Sequence, residues 1–290
     1  MNITQIDSLR TLAPRYDGYI IDIWGVVHGG GDVYPDVVEC LEQLRRADKH
    51  AIFLSNAPRR AARVIEALID KGIPEALCRD VLSSGEATRL ALEARTEKAF
   101  ANLGQRYITL GPPTDDELLE GLDYQITDDV MNANFVLCIG LNQGTTTVEE
   151  HDAVLKAAAA RQLPMVCVNP DRVVVRLGRR EFCAGVLADH YEALGGIVHH
   201  VGKPYRYVYD LCFERLAAGA RKRVLTIGDG PETDIRGANN AGLDALLVTG
   251  GLVADSLGLD RTHAAPAHEL SAICTDANVR PVAAVPTFRW

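Results

Sequence analysis

The sequence predicts an α/β fold built on a parallel sheet, and three observations indicate it. Short apolar runs alternate with amphipathic stretches along the 290 residues, as expected where each strand is followed by a helix. Runs such as Val224–Ile227 are almost continuously apolar, which is typical of strands covered on both faces. The composition, with 47% hydrophobic and 24% charged residues, is that of a globular protein with a sizeable core.

The individual elements follow from these runs and from the turn residues between them. Apolar runs predict strands at Tyr19–Ile21, Ala51–Leu54, Tyr107–Leu110, Phe135–Ile139, Met165–Val168, Ile197–Val201, Val224–Ile227 and Ala245–Val248. Helical spacing and helix-ending signals predict helices at about Asp36–Ala47, Arg59–Asp70, Val148–Arg161, Ala184–Ala193, Tyr205–Ala217 and Thr233–Ala241. We expect the tail, Pro281–Trp290, to be extended because it contains two prolines.

Charge and cysteine content exclude several classes of partner. The formal net charge is −9, so nucleic acid and an anionic membrane surface are not expected as main partners. The seven cysteines are dispersed without a CxxC pair, which favours reduced thiols over a disulfide framework or a zinc site. The first residues lack a basic region followed by an apolar core, and no apolar run is long enough to span a bilayer. We therefore expect a cytoplasmic protein.

Polar residues follow four of the predicted strands, where ligands bind in open parallel sheets. They are Asp22 after the first strand, Ser55 and Asn56 after the second, Lys203 after Ile197–Val201, and Asp229 and Asp234 after Val224–Ile227. If these strands are neighbours, three carboxylates repel one another unless a cation lies among them, and Mg²⁺ prefers carboxylates together with a substrate phosphate. A hydroxyl, backbone N–H groups and Lys203 would then hold the phosphate oxygens.

The order of these motifs resembles that of the haloacid dehalogenase-like (HAD) hydrolase superfamily, and the details resemble its class IIA branch of NagD-like phosphatases. The matching blocks are Asp22–Gly29, Leu54–Arg59, Ser84–Thr88, Val168–Asp171, Val201–Pro204 and Gly228–Ile235. The resemblance implies a Rossmann-like catalytic core, residues 1–83 and 183–290, with a large α/β (C2-type) cap formed by residues 84–182. The triplet Asn169-Pro170-Asp171 resembles a motif of that cap and is equally typical of a turn.

The resemblance also implies roles for the matching residues. Asp22 corresponds to the nucleophile that attacks phosphorus and forms an aspartyl-phosphate. Lys203 corresponds to the lysine that neutralises the nucleophile and the phosphate, and Ser55 and Asn56 correspond to the phosphate-binding residues. The Mg²⁺ ligands would be Asp22, the backbone carbonyl of Trp24, Asp229 and Asp234. The expected substrate is a small phosphorylated metabolite, and relatives in this branch often form homodimers through the cap.

The sequence departs from the family pattern at Trp24. Phosphatases of the family have an Asp-x-Asp motif, whose second aspartate is the general acid and base. Tryptophan can perform neither role, and the loss weighs most on alkyl phosphates, whose alkoxide is a poor leaving group. Three hypotheses remain open: a Mg²⁺-dependent hydrolase with another acid such as His28, phosphonatase-like chemistry through a Schiff base on a cap lysine (Lys98 or Lys156), and a weakly active or non-catalytic binding protein.

Overall fold

The polypeptide forms strands and helices in alternation, as the sequence predicts. The computed structural model describes residues 3–112, 117–144, 147–176, 179–216 and 223–290. The strands are β1 (Gly18–Asp22), β2 (His50–Ser55), β3 (Val81–Ser83), β4 (Arg106–Leu110), β5 (Gln125–Ile126), β6 (Phe135–Cys138), β7 (Met165–Cys167), β8 (Val173–Arg176), β9 (Arg179–Phe182), β10 (Val198–His200), β11 (Val224–Gly228), β12 (Asp244–Val248) and β13 (Ala283–Val285).

The helices complete the alternation. They are α1 (Val37–Arg46), α2 (Ala61–Asp70), α3 (Glu75–Cys78), α4 (Ser84–Ala94), α5 (Lys98–Ala101), α6 (Asp152–Ala160), α7 (Ala184–Ala193), α8 (Arg206–Leu216), α9 (Arg236–Ala241), α10 (Leu252–Leu257) and α11 (Ala267–Asp276). A π-helical turn at Pro231–Ile235 leads into α9. The predicted end of one helix at Ala217 lies outside the described residues. Within the described ranges, no helix has both the length and the apolar character that a bilayer crossing needs.

The strands form two parallel sheets and one antiparallel hairpin. The first sheet has six strands in the order β13-β12-β11-β1-β2-β3, and the second has five in the order β10-β7-β6-β4-β5. The hairpin pairs β8 with β9. In the first sheet the strand order reverses between β1 and β11, and such a switch point leaves a crevice at the carboxyl ends of the two strands. This arrangement confirms the predicted α/β fold class.

The first sheet is covered on both faces. In β1, Tyr19 and Ile21 pack into one apolar cluster, whereas Ile20 packs into the cluster on the opposite face. The second cluster continues into the other sheet, where it includes Phe135 and Val166. Apolar packing therefore joins the two sheets, and the continuous apolar runs of the sequence are explained by burial on both faces.

The boundaries predicted for the cap do not coincide with the second sheet. Strand β10 pairs with β7, and α7 packs onto the same sheet through Leu187 and Tyr191. The helix and strand between residues 183 and 200 therefore pack with the second sheet, and the division of the chain into core and cap stays a prediction. At the other end, α4 contacts β3 and α8, so the second sheet begins only at β4.

Phe135 provides a test of the apolar packing in the second sheet. Its side chain is fully buried, stacks on Tyr107 at 5.5 Å and meets the Tyr124 ring edge-to-face at 5.8 Å. Phe135→Ala should lower the free energy of unfolding by about 3–5 kcal/mol through lost burial and the cavity left behind. Chemical denaturation measures this change. The control is Met131→Ala at an exposed position, which should alter stability by less than about 0.5 kcal/mol; equal effects would contradict the packing described.

Candidate active site

Four charged side chains meet at the carboxyl ends of the central strands. Asp22 is the last residue of β1, and Asp229 directly follows β11, its neighbour in the sheet. Asp234 lies in the π-helical turn that follows, and Lys203 lies between β10 and α8. All four side chains are buried, with at most 6% of each residue exposed. The structure thus brings together the side chains that the sequence predicts for the metal and nucleophile sites. The backbone carbonyl of Trp24 stays a predicted metal ligand.

Lys203 is the central cation of this group. Its Nζ donates a hydrogen bond to Asp22 Oδ1 and another to Asp234 Oδ1 at 2.8 Å. Burial by itself lowers the pKa of the ammonium, but the facing carboxylates of Asp22 and Asp234 outweigh burial and raise the pKa well above its ordinary value. Lys203 is therefore charged throughout the physiological range.

The carboxylates outnumber the cation that holds them. Burial raises the pKa of Asp22 well above its ordinary value, and repulsion from Asp234 and Asp229 adds to this rise while Lys203 opposes it. Burial likewise raises the pKa of Asp229 to about 7, again with a contribution from Asp234. One ammonium does not neutralise three buried acids, so a further positive charge is needed for all of them to ionise together.

The three carboxylates fit a small divalent cation. One oxygen from each of Asp22, Asp229 and Asp234 lies within 4.8 Å of the other two. Backbone groups hold two of these side chains in place: Leu252 N donates to Asp229 Oδ2 at 2.9 Å, and Gly230 N donates to Asp234 Oδ2 at 3.1 Å. A cluster of buried carboxylates with room for water and substrate is the donor set that Mg²⁺ prefers.

Glycines allow the backbone to approach Asp229 closely. A Cβ built on Gly25 would overlap the Asp229 carboxylate, and so would a Cβ built on Gly251. Gly25 also has a φ of +86°, a conformation that side chains with a Cβ rarely adopt. Sequence reasoning did not single out these two glycines, because their role depends on a contact between distant segments.

Asn56 connects the site to the segment between the second sheet and the hairpin. Its Oδ1 accepts from Lys203 N at 2.7 Å, and its Nδ2 donates to Lys203 O at 3.1 Å. The same Nδ2 donates to Asp171 Oδ1 at 2.8 Å. Ser55 is buried at the end of β2, and its Oγ accepts from Ala57 N at 3.2 Å. The predicted phosphate-binding pair therefore lies beside Lys203.

Asp171 is a site residue that the sequence prediction did not include. Burial raises the pKa of its carboxyl group, while Lys203 and the Asn56 hydrogen bond oppose the rise. Asn169 Oδ1 accepts from Asp171 N at 3.1 Å, which is the Asx-turn geometry of the Asn-Pro-Asp triplet. The triplet was the available signal: its interpretation as a turn is confirmed, and its interpretation as a cap motif stays a prediction.

The site opens into a large cleft. Its volume is about 1180 Å³, and it is bordered by the carboxylate cluster, the segment 169–172 and the hairpin strand β8. Lys98 and Lys156, the candidate Schiff-base lysines, do not line this cleft. Lys98 borders a separate small cavity, and Lys156 is exposed and paired with Asp152 at 2.5 Å.

Trp24 contacts the hairpin through its side chain. The indole Nε1 donates to the Val175 carbonyl at 2.9 Å, and the Arg176 guanidinium lies 5.2 Å from the centre of the ring. The His28 ring meets the indole edge-on, with the ring centres 5.0 Å apart. The side chain that replaces the second aspartate therefore binds β8 and offers no proton-transfer group.

His28 does not supply the missing acid at neutral pH. Its Nδ1 accepts a hydrogen bond from Gly30 N at 3.1 Å, so this nitrogen carries no proton. Burial lowers the pKa of His28 to about 4, and the charges of Lys71 and Arg176 lower it further. The imidazole is neutral near pH 7 and is held in place by the backbone.

The two sheets, the crevice at the switch point and the carboxylate–lysine cluster define a hydrolase-type α/β core with a second α/β unit over its site. Models of two families match the chain: haloacid dehalogenase-like hydrolase over residues 19–125 and HAD-hydrolase-like over residues 200–275. A haloacid dehalogenase-like hydrolase from Brucella suis 1330 is 30% identical, with a TM-score of 0.82 over 98% of this chain and 99% of that one. The chain belongs to the haloacid dehalogenase-like hydrolase family.

Two further relatives carry more specific names. The D-glycerol 3-phosphate phosphatase of Mycobacterium tuberculosis is 25% identical over 303 residues, which cover 97% of this chain and 77% of that protein. The 4-nitrophenylphosphatase of Thermotoga maritima has a TM-score of 0.70 at 22% identity, over 94% of this chain and 95% of that one. The family that the sequence motifs predict is confirmed.

The low pKa of His28 predicts a pH dependence of stability. The folded value of about 4 lies below the value of about 6.5 in an unfolded chain, so folding favours the neutral ring. The stability that the neutral His28 ring contributes is fully present above pH 6.5 and is lost as the pH falls toward 4. His28→Asn keeps an acceptor for Gly30 N, and we expect its loss of unfolding free energy over this range to be smaller by about 1–3 kcal/mol.

Urea denaturation at a series of pH values measures this difference. His268→Asn is the matched control, because the side chain of His268 is 82% exposed. In the control, the unfolding free energy should change with pH as steeply as it does in the parent protein. A slope for the His28 variant that equals the control would show that His28 titrates alike in the folded and unfolded chains.

Proposed function

We propose that the protein is a Mg²⁺-dependent phosphatase that acts on a small phosphorylated metabolite through an aspartyl-phosphate on Asp22. The observation that carries the proposal is the buried cluster of three carboxylates around Lys203 at the sheet edge. Such a cluster is costly to fold unless it binds ligands that complete its charge balance. The phosphatase name of the mycobacterial relative supports the same reaction class.

In the proposed reaction, an Asp22 carboxylate oxygen attacks phosphorus, and the bond from phosphorus to the leaving oxygen breaks with its electron pair on that oxygen. Water then cleaves the acyl-phosphate, which releases inorganic phosphate and restores Asp22. The ammonium of Lys203 offsets the negative charge of the nucleophile and the phosphoryl group. Ser55, Asn56 and adjacent backbone amides would bind the phosphoryl oxygens.

Mg²⁺ would be held by Asp22, Asp229, Asp234 and the backbone carbonyl of Trp24. When bound, the ion supplies positive charge that favours the ionised carboxylates and the phosphoryl oxygens. The raised pKa values of Asp22 and Asp229 support this assignment, since a cation in contact with them reverses the effect of burial.

The absence of an acid at position 24 favours substrates with good leaving groups. A positioned general acid is worth about 10²–10⁴-fold in rate. Aryl, acyl and anhydride phosphates lose less of this factor than alkyl phosphates, because their leaving oxygen carries negative charge more readily. We therefore propose aryl or acyl phosphates as the better substrates.

The homodimer and the cytoplasmic location expected from the sequence stay predictions.

The two alternative functions are less well supported. Phosphonatase-like chemistry needs a lysine amine in the cleft, whereas Lys98 and Lys156 lie elsewhere. Borohydride trapping of a lysine adduct would revive this alternative. A purely binding function would leave the Lys203 cluster without a chemical role, and the assay below separates it from catalysis.

Hydrolysis of a phosphate panel tests the proposed function. Purified protein with p-nitrophenyl phosphate or acetyl phosphate should release phosphate in the presence of Mg²⁺ and lose this activity in EDTA, with recovery when Mg²⁺ is restored. Phosphate release is followed over time at each condition. No turnover on aryl, acyl and alkyl phosphates would contradict the phosphatase assignment, and equal turnover in EDTA would contradict the metal dependence.

Replacement of the nucleophile gives a second prediction. Asp22→Asn should reduce phosphatase activity by about 10³-fold or more, since an amide oxygen cannot form the acyl-phosphate efficiently. Steady-state kinetics measures the loss. Asp17→Asn is the matched control, because Asp17 precedes the same strand and forms exposed ion pairs. Activity that survives in the Asp22 variant would refute the assignment of the nucleophile.

Trp24→Asp tests the leaving-group argument. The variant regains the second carboxylate of the family motif, so its rate on an alkyl phosphate should rise by about tenfold or more relative to its rate on an aryl phosphate. The ratio of the two kcat/KM values measures this effect independently of any loss of activity that is common to both substrates. An equal loss on both substrates would show that the missing acid does not limit the rate.

A further inference from the structure

The β8–β9 hairpin contacts the loop that follows Asp22 through one side chain. Trp24 Nε1 donates to the Val175 carbonyl at 2.9 Å, although the two residues are 151 positions apart. The Arg176 guanidinium lies over the same indole at 5.2 Å, within the range of a cation–π contact. The contact therefore uses one backbone acceptor, the Val175 carbonyl, and one cation, the Arg176 guanidinium.

Neighbouring residues make room for this contact and extend it. A Cβ on Gly30 would lie 3.4 Å from the indole of Trp24 and 3.2 Å from the Arg176 side chain. Gly30 has a φ of +98°, which favours glycine. On β9, Arg180 forms a 2.8 Å ion pair with Asp255 of α10. Both strands of the hairpin are therefore attached to the unit that carries Asp22.

The contact lies where the catalytic chemistry of the family would need an acid. Trp24 is two residues beyond Asp22, and Val173–Arg176 line the cleft above the carboxylate cluster. We propose that Trp24 is a positioning residue: the side chain in place of the general acid fixes the hairpin as one wall of the cleft that Asp22 also lines. For its effect on turnover, this inference rests on the proposed phosphatase function, but the docking itself does not.

Docking of the hairpin would change the site in two ways. A docked hairpin would limit the water that reaches the cleft, which would strengthen the attraction between Lys203 and a phosphoryl group. It would also keep Arg176, which lies over Trp24 and pairs with Glu181 at 3.0 Å, at the cleft wall. Substrates with a compact and anionic or aromatic remainder would then be preferred, since they fit below the hairpin and meet a cation.

Fluorescence tests the docking without any need for activity. The chain has two tryptophans, so Trp290→Phe leaves Trp24 as its only tryptophan. In this background, Arg176→Gln combined with Arg180→Gln removes the cation–π contact and the Asp255 ion pair and leaves the Trp24–Val175 hydrogen bond as the remaining attachment. We expect the ratio of molecules with a docked hairpin to molecules with an open one to fall by about two- to fivefold. Trp24 should then emit at longer wavelength and be quenched more strongly by acrylamide.

Arg179→Gln in the same background is the matched control. Arg179 pairs with Arg176 across the hairpin but does not line the cleft, so its variant should keep the emission and quenching of the parent. Urea denaturation of each variant checks that the fold is intact. Equal quenching in the control and in the Arg176/Arg180 variant would overturn the proposal.

Kinetics then separates positioning from general stability. Trp24→Phe keeps an aromatic ring below Arg176 but removes the N–H donor, so KM for p-nitrophenyl phosphate should rise by about two- to fivefold with a smaller change in kcat. A lower kcat with unchanged KM would overturn the positioning role. If the parent protein hydrolyses no phosphate, the proposed function fails while the fluorescence result still decides whether Trp24 docks the hairpin.

Discussion

The Lys203 ammonium, buried between the carboxylates of Asp22 and Asp234, is the interaction on which the arrangement of the site depends. A buried charge is tolerated only when it is paired and hydrogen-bonded, so the segments that carry these residues must meet. The parallel order of the first sheet achieves this, because β1 and β11 are neighbours whose carboxyl ends share one edge. The remaining acid, Asp229, leaves the cluster short of positive charge and therefore suited to a cation.

The second unit contributes to the site as well as covering it. Lys203 follows β10 of the second sheet, and Asn56 connects the backbone at Lys203 with Asp171. The hairpin contacts the first unit through Trp24. Segments of the second unit thus hold the backbone at Lys203 and form one wall of the cleft.

Much of the fold and of the candidate site could be predicted from the sequence, and there are physical reasons why the rest could not. Apolar runs predicted the central strands, since strands buried on both faces have little polar content. The short strand Val81–Ser83 and the hairpin were not predicted, because one is only three residues long and β9 is wholly exposed. Periodicity carries no signal for such short or exposed elements. The contact of Trp24 with Val175 joins residues 151 positions apart, so no local sequence pattern predicts it.

The most direct test of the account is chemical trapping of the aspartyl-phosphate. Protein in turnover with acetyl phosphate and Mg²⁺ is quenched and reduced with borohydride, and the peptide that contains residue 22 is analysed by mass spectrometry. Reduction of an acyl-phosphate converts aspartate to homoserine, so the account predicts homoserine at position 22 and none in Asp22→Asn. Sustained turnover with Asp22 unmodified, or with the modification at another aspartate, would contradict it.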